Sequence, residues 1–452
     1  MQVNWNKKLW RWHHYLGVYV GLAIIFLSIT GCLALFKVEI DRLLNPGIWK
    51  VEPEGERMPM QTALSGLQEA FPELKFFEIH LPRTANEPYN FRFFPRDEPI
   101  YQRQLIEVFV NPYNGEILTR RDYFSTFSYF LRNIHVRFFE SWIGRQLVGL
   151  AGIAMLVILI TGMVIYFPFT KRQTFFKIRR KNSRQFWADI HKFTGLSSLL
   201  FNLVIAGTGA WLGLQVWLMD WTDSKVPNRT FSREKLITPA EDSLQPLDLD
   251  LYLAESKQTF PEMIPFLIRP VNNGQRLVEV MGDLPGTVYE RYTNKVILDK
   301  ASGDLLFKYD LRNRGLAEKF YFIQEALHFG DFGGVWLKLF YLLFGLTSGG
   351  LSIAGFWIFM KRKQKSMGYN HRQVNQVFVR YTLAIVLSIS ITAILNNLFG
   401  LVVTSFIITF TFYSSIIILI LKTLILKEGL FSSWLKVKTK IGLASKIDQS
   451  SP

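Results

Sequence analysis

The feature that most constrains this chain is a series of stretches of about 20 residues that carry almost no charge, each long enough to cross a hydrocarbon core as a helix. Six stand out: Gly17 to Phe36, Leu147 to Phe167, Leu196 to Leu218, Leu337 to Met360, Thr382 to Leu398 and Val402 to Leu421. Inside lipid each backbone N–H and C=O must be satisfied within the spanning element, so such stretches are expected to be helical. The first stretch follows Lys7, Lys8 and Arg11, as in a secretory signal. Its apolar run is longer than a signal core, and Phe36, Lys37, Val38 and Glu39 follow it where small residues would mark cleavage, so it is expected to remain as a helix. The expected fold class is therefore an α-helical membrane protein with six transmembrane helices.

The formal net charge of +16 raises the question of a nucleic-acid partner, but the basic residues cluster between spans rather than along one soluble face. Lys171, Arg172, Lys177, Arg179, Arg180, Lys181 and Arg184 separate spans two and three; Lys361, Arg362, Lys363 and Lys365 follow span four; Lys422, Lys427, Lys436, Lys438 and Lys440 follow span six. By the positive-inside rule these loops and both termini are expected in the cytoplasm, with lipid rather than nucleic acid as the surrounding partner. The expected organisation is a first helix in 1–36, an outer domain in 37–142, helices two and three with a basic loop in 143–218, and a second outer domain in 219–335. Helix four follows in 336–363, helices five and six in 377–425 and a cytoplasmic tail in 426–452. The one cysteine, Cys32, lies in mid-span, which leaves no disulfide, thiolate cluster or Cys-x-x-Cys pair and reads as a small packing residue.

An internal duplication organises the chain. Trp12-His13-His14-Tyr15-Leu16-Gly17 and Asp189-Ile190-His191-Lys192-Phe193-Thr194-Gly195 share His, any, aromatic, any, Gly. Thr30-Gly31 begins 17 residues after His13, and Thr208-Gly209 begins 17 after His191. Spans two and four correspond as well, since His135 precedes Gly162 by 27 residues and His328 precedes Gly355 by 27, with Gly152 and Gly345 both at +17 and Arg145 and Lys338 both at +10. Between the spans, Val110 to Leu118 resembles Leu298 to Leu306, each reading as strand, turn, strand. Each half is thus span, outer domain, span, and both halves share one orientation.

His13, His135, His191 and His328 occupy equivalent places at the heads of spans one to four, two toward each membrane face. Imidazole is a common axial ligand of b-type haem, and facing helices can supply one nitrogen to each side of the ring. His13 with His191 would hold one haem near the cytoplasm and His135 with His328 a second near the outer face, giving a relay across the roughly 30 Å hydrocarbon core. The absence of Cys-x-x-Cys-His excludes covalent c-type attachment. Taken singly, a histidine and a glycine near a helix end also fit an interfacial polar side chain and a packing contact. The paired register favours ligands.

His14 competes with His13, but it aligns with Lys192 and points about 100° away on the helix, toward the surface or a haem propionate. His80 and His371 lack repeat partners and read as solvated side chains. Thr30-Gly31, Thr161-Gly162, Thr208-Gly209 and Ala354-Gly355 put small residues deep in the spans, suited to close backbone approach or to a flat ring. Arg145 and Lys338 are placed either to pair with haem propionates or to snorkel at the interface. Trp5, Trp10, Trp12, Trp142, Trp187, Trp217, Trp221 and Trp336 fall where an aromatic belt belongs.

Together, His13-x-Tyr15-x-Gly17 with Thr30-Gly31, His191-x-Phe193-x-Gly195 with Thr208-Gly209, Leu327-His328-x-Gly330 and the two hairpins resemble the PepSY-associated transmembrane family over roughly residues 9 to 363. The resemblance implies two α+β PepSY-like extracytoplasmic domains, b-type haem in the four-helix core and reduction of ferric siderophores outside the cytoplasmic membrane. Tyr113-Asn114 and the basic context His135-Val136-Arg137 depart from the family pattern. Some relatives carry a cytoplasmic flavin and nicotinamide module. The tail after span six has about 30 residues and no Gly-rich dinucleotide fingerprint, so the expected donor is a separate flavoprotein, reduced flavin or quinol.

Two other readings follow from the same chain. A non-catalytic membrane regulator would use PepSY-like domains to bind peptide or inhibit a protease, with the histidines merely structural. A transporter is suggested by the repeat alone, but its spans would need the Asp and Glu of ion coupling, which these lack.

Overall fold

The structure, a computed structural model, describes residues 5–96, 104–138, 142–170, 177–180, 182–222, 248–271, 277–288 and 293–367. The expected spans five and six, the tail and His371 lie outside these residues.

The first half opens with α1 (Trp5–Tyr19) and α2 (Gly21–Leu35), two helices bent by 56° at Val20. The i to i−4 ladder runs through the bend, with Val20 N donating to Leu16 O at 2.8 Å and Ile24 N to Val20 O at 3.0 Å, so this is a kink between Gly17 and Gly21 rather than a loop. Next come α3 (Lys37–Leu44), α4 (Pro46–Trp49), α5 (Met60–Ala70), and strands β1 (Leu74–His80), β2 (Tyr89–Pro95), β3 (Ile106–Val110) and β4 (Ile117–Asp122). The amphipathic α6 (Phe127–Arg137) and the long apolar α7 (Trp142–Thr170) complete the half.

The second half repeats this order. It has α8 (Ser183–Ser197), α9 (Leu199–Trp221), α10 (Leu249–Thr259), β5 (Ile264–Pro270), β6 (Leu277–Asp283), β7 (Lys295–Asp299), β8 (Leu305–Tyr309), α11 (Leu316–Phe329) and α12 (Gly334–Met367). Its first helix pair breaks at Ser198, whose hydroxyl donates back to Thr194 O at 2.7 Å, the local competition that bends helices. Sequence patterning treats spans one and three as single helices headed by histidine. In the structure the histidines sit on separate short helices, because the breaks at Val20 and Ser198 fall between His13 or His191 and the apolar run. Likewise His135 and His328 lie on α6 and α11, which end in left-handed residues, Phe138 at φ 47° and Gly330 at φ 61°, before the chain turns into α7 and α12.

Among the described residues three helices are long and apolar enough to cross a membrane, and the bent α1–α2 pair makes a fourth if counted as one span. The halves interlock through small residues. A Cβ on Gly213 would lie 2.4 Å from Gly149 Cα, and one on Gly152 would lie 2.8 Å from Ala210 N, so α7 and α9 touch backbone to backbone. On the other side of the bundle Gly345 of α12 faces the Cys32 sulfur of α2, where a Cβ would come within 3.1 Å. Gly152 and Gly345 are equivalent in the repeat, as are Ala210 and Cys32, so one crossing is the two-fold copy of the other, and Cys32 is indeed a packing residue.

The eight strands form one antiparallel sheet in the order β4-β3-β2-β1-β5-β6-β7-β8. The expected hairpins at 110–118 and 298–306 are β3–β4 and β7–β8. Gly115 and Gly303 both stand at φ 76°, which their turns require, and Asn111 and Asp299 accept the turn amides. One face of the sheet carries α5 and α10 over a continuous core that includes Leu64, Phe91, Val108, Tyr252, Val280 and Val296.

The halves meet where β1 pairs with β5 at only two positions, Ile79 with Ile268 and His80 with Leu267. Side chains reinforce this short seam. Asp250 of α10 accepts from Met60 N and Gln61 N, each at 3.0 Å, capping α5 of the other half where Pro59 offers no side-chain cap. On the opposite face a cross-strand ladder of alternating charge runs Arg121, Glu107, Arg92, Glu78, with each residue directly opposite the next. Glu78 then takes Arg269 from the second half, and Asp41 of α3 takes Arg121 at the other end. Glu78, Glu107 and Asp41 are buried, so the ladder satisfies three carboxylates that water cannot reach.

Candidate functional site

Each half builds two histidine seats reciprocally. His13 lies against Gly162 and His135 against Gly31; His191 lies against Gly355 and His328 against Gly209. A Cβ at Gly31, Gly162, Gly209 or Gly355 would meet the facing imidazole Cε1 at 2.7, 2.9, 3.1 or 3.5 Å. The small residues expected to admit a backbone or a flat ring thus admit a specific ring, the imidazole of the partner helix in the same half.

The pairing of histidines crosses the repeat. His13 faces His191 with ring centroids 6.3 Å apart and planes at 82°, and His135 faces His328 at 6.2 Å and 33°. These are the two pairs expected from the sequence, and they lie at the interface of the duplicated halves, where membrane proteins of this build commonly place their sites.

The threonines fix which ring nitrogen is protonated. A hydroxyl has one hydrogen, and Thr30, Thr161 and Thr208 donate theirs to Phe26 O, Val157 O and Val204 O at 2.8, 2.6 and 2.7 Å. Their oxygens can therefore only accept from the imidazole Nδ1 of His135, His13 and His328, at 3.1, 3.3 and 3.0 Å. His13 Nδ1 also donates to Ile158 O at 2.9 Å. With Nδ1 carrying the hydrogen, the unprotonated nitrogen of each neutral ring is Nε2. That is the arrangement of a metal-ligating histidine, whose other N–H is held by a carbonyl or hydroxyl. At the fourth ring Ala354 replaces threonine, and His191 Nδ1 is buried without a hydrogen-bond partner.

The spacing would suit an iron held between the two rings of each pair. Metal–imidazole bonds of about 2 Å on each side, plus roughly 1 Å from each bonded nitrogen to its ring centre, would separate two imidazoles sharing one metal by about 6 Å. No group of three or more His, Cys, Asp or Glu suited to a bare metal ion occurs among the described residues. A porphyrin, which brings four nitrogens of its own, needs only the two that each pair provides.

The other sequence candidates fall elsewhere. His14 stacks on Trp10 with centroids 4.9 Å apart and packs on Phe359 at 5.1 Å. His80, expected to be solvated, instead donates to Glu78 in the buried ladder at 3.0 Å, and burial and the nearby Arg92 push its pKa below the usual value. Burial opposes ionisation of Glu78, but His80 and the guanidiniums of Arg269 and Arg92 outweigh it and hold its pKa well below the carboxylate range. Arg145 donates from Nε and Nη2 to Leu212 O at 3.0 and 2.7 Å, and Lys338 pairs with Glu39 at 2.6 Å. On α6, α7 and α9, Arg137 Nε, both amide atoms of Gln146 and Trp211 Nε1 are buried without hydrogen-bond partners. Sequence reasoning missed these groups and the ladder; the alternation Arg92, Glu107, Arg121 across successive strands was the available signal for the latter.

Duplicated helices, a sheet shared between the repeats and cross-repeat histidine pairs define a membrane protein whose candidate site lies between its halves. The family model described as the PepSY-associated TM region matches residues 10–362, and the chain belongs to that family. A curated relative, an uncharacterized protein of Pseudomonas aeruginosa, is 26% identical over 255 residues, which make up 52% of this chain and 63% of the relative. The chain thus spans less than two thirds of that relative's length.

Proposed function

We propose that the chain holds two b-type haems, between His13 and His191 and between His135 and His328, and carries electrons across the cytoplasmic membrane to an external ferric chelate such as a siderophore. The observation that carries this reading is the pair of cross-half imidazole couples, three of whose four rings are fixed with Nδ1 protonated and Nε2 available. Iron bound there would alternate between ferric and ferrous states and so relay single electrons.

The residues supply position and polarity. The glycine notches fix each imidazole along its helix, and the threonines fix its tautomer. Arg145, with Nη1 outside its bonds to Leu212, would reach a propionate, and Lys338 would do so by exchanging Glu39 for it. The buried Arg137, Gln146 and Trp211 donors suit acidic groups at the outer site. The basic loops support cytoplasmic termini and an outward-facing sheet made of two PepSY-type domains. An electron delivered on that side turns ferric into the more weakly chelated ferrous iron. A separate flavoprotein, reduced flavin or quinol serves as donor.

Stopped-flow reduction of His328→Ala separates the two steps. The inner haem should reduce as in wild type while formation of the ferrous chelate slows by orders of magnitude. Wild-type chelate turnover in that variant contradicts the relay.

A further inference from the structure

Three of the four imidazoles share one seat, a threonine followed by a glycine, and the fourth does not. At His191 the threonine position is Ala354, which is 2% exposed and therefore as buried as Thr30, Thr161 and Thr208. The Leu351 carbonyl stands beside the ring as Ile158 stands beside His13, but His191 Nδ1 makes no hydrogen bond with it of good geometry. The glycine contact is also the loosest of the four, with Cε1 3.5 Å from the position of a Cβ on Gly355 against 2.7 to 3.1 Å in the other seats.

We infer that residue 354 is a tuning position: by withholding a hydroxyl from His191, Ala354 leaves the inner haem with one weakly held ligand and so sets its redox potential apart from that of the outer haem. The inference rests on the haem reading above. A hydrogen bond accepted from Nδ1–H makes an imidazole a stronger donor to a metal, and loss of such a partner typically weakens metal binding about 10- to 100-fold. A stronger donor favours ferric over ferrous iron. The inner site, lacking one such bond, is accordingly biased toward the ferrous state, which favours its reduction by the donor and sets its potential above that of a fully bonded pair. Ala354 acts only through His191 and is a positioning residue.

The test uses the full chain in a His328→Ala background, where the inner haem stands alone. Ala354→Thr should lower its midpoint potential in a spectroelectrochemical titration and slow haem transfer to apomyoglobin by about tenfold or more. Ala354→Ser, which adds the hydroxyl without the branched methyl, should move both in the same direction. The reverse change, Thr208→Ala in a His191→Ala background, should raise the potential of the isolated outer haem and speed its loss. An unchanged potential and loss rate in folded, haem-loaded variants would overturn the inference. If the threonine and serine variants at 354 fail to fold, an unmoved outer potential in Thr208→Ala overturns it equally. A wild-type chain that binds no haem would fail the underlying reading instead.

Discussion

Gly31 lies so close to His135 that an added methyl group would sit 2.7 Å from Cε1, inside any tolerable contact. Gly31→Ala should therefore push the imidazole out of register and strip the outer haem while leaving the inner one, as read by haem per chain. Gly207→Ala is the control, since a Cβ there meets nothing within 4 Å and haem content should not change. If Gly31→Ala binds haem like wild type, the notch does not position the ligand. The histidine register was legible in the sequence because duplication copies spacing along the chain. The seat was not, because His135 and Gly31 belong to different helices 104 residues apart, and helical patterning is silent about which helices adjoin.

Among the elements, hairpins β3–β4 and β7–β8 were legible because Asn111 or Asp299, with a glycine four residues further on, fixes a turn locally. Their union into one sheet was not, because the seam is two residue pairs long and joins strands nearly 190 residues apart. Glu78 holds that seam from a 3% exposed position, facing Arg92 of its own half and Arg269 of the other. Glu78→Gln leaves two guanidiniums short of a counter-charge and should cost about 3–5 kcal/mol. The loss should appear as a lower thermal midpoint and faster hydrogen exchange in β1 and β5; wild-type protection there would deny the ladder its role. The pH dependence follows from two depressed pKa values. Below about 6.5 the unfolded chain protonates His80 before the folded one does, and below about 4.3 the same holds for Glu78. Stability should accordingly fall with acid through both ranges, and Glu78→Gln should abolish the lower part of the fall.

At the scale of the whole molecule, apolar length gave the membrane class and the repeat gave its two-fold plan. The breaks at Val20 and Ser198 that set the histidines on short helices escaped detection, since the apolar pattern runs through both. The proposed orientation puts the turn-side ends of β4 and β8 outside the cytoplasm. In a Cys32→Ser background, cysteines at the exposed Ile117 and Leu305 should react with an impermeant maleimide on intact cells. Labelling only after permeabilisation would invert the topology and the direction of electron flow. The two cross-half histidine pairs are the centre of the proposed relay, and a pyridine haemochrome assay on purified protein addresses them directly. Two b-type haems per chain are expected in wild type, falling to one in His191→Ala and one in His328→Ala. A wild-type chain without haem after expression with ample haem, or variants that keep both, would contradict it.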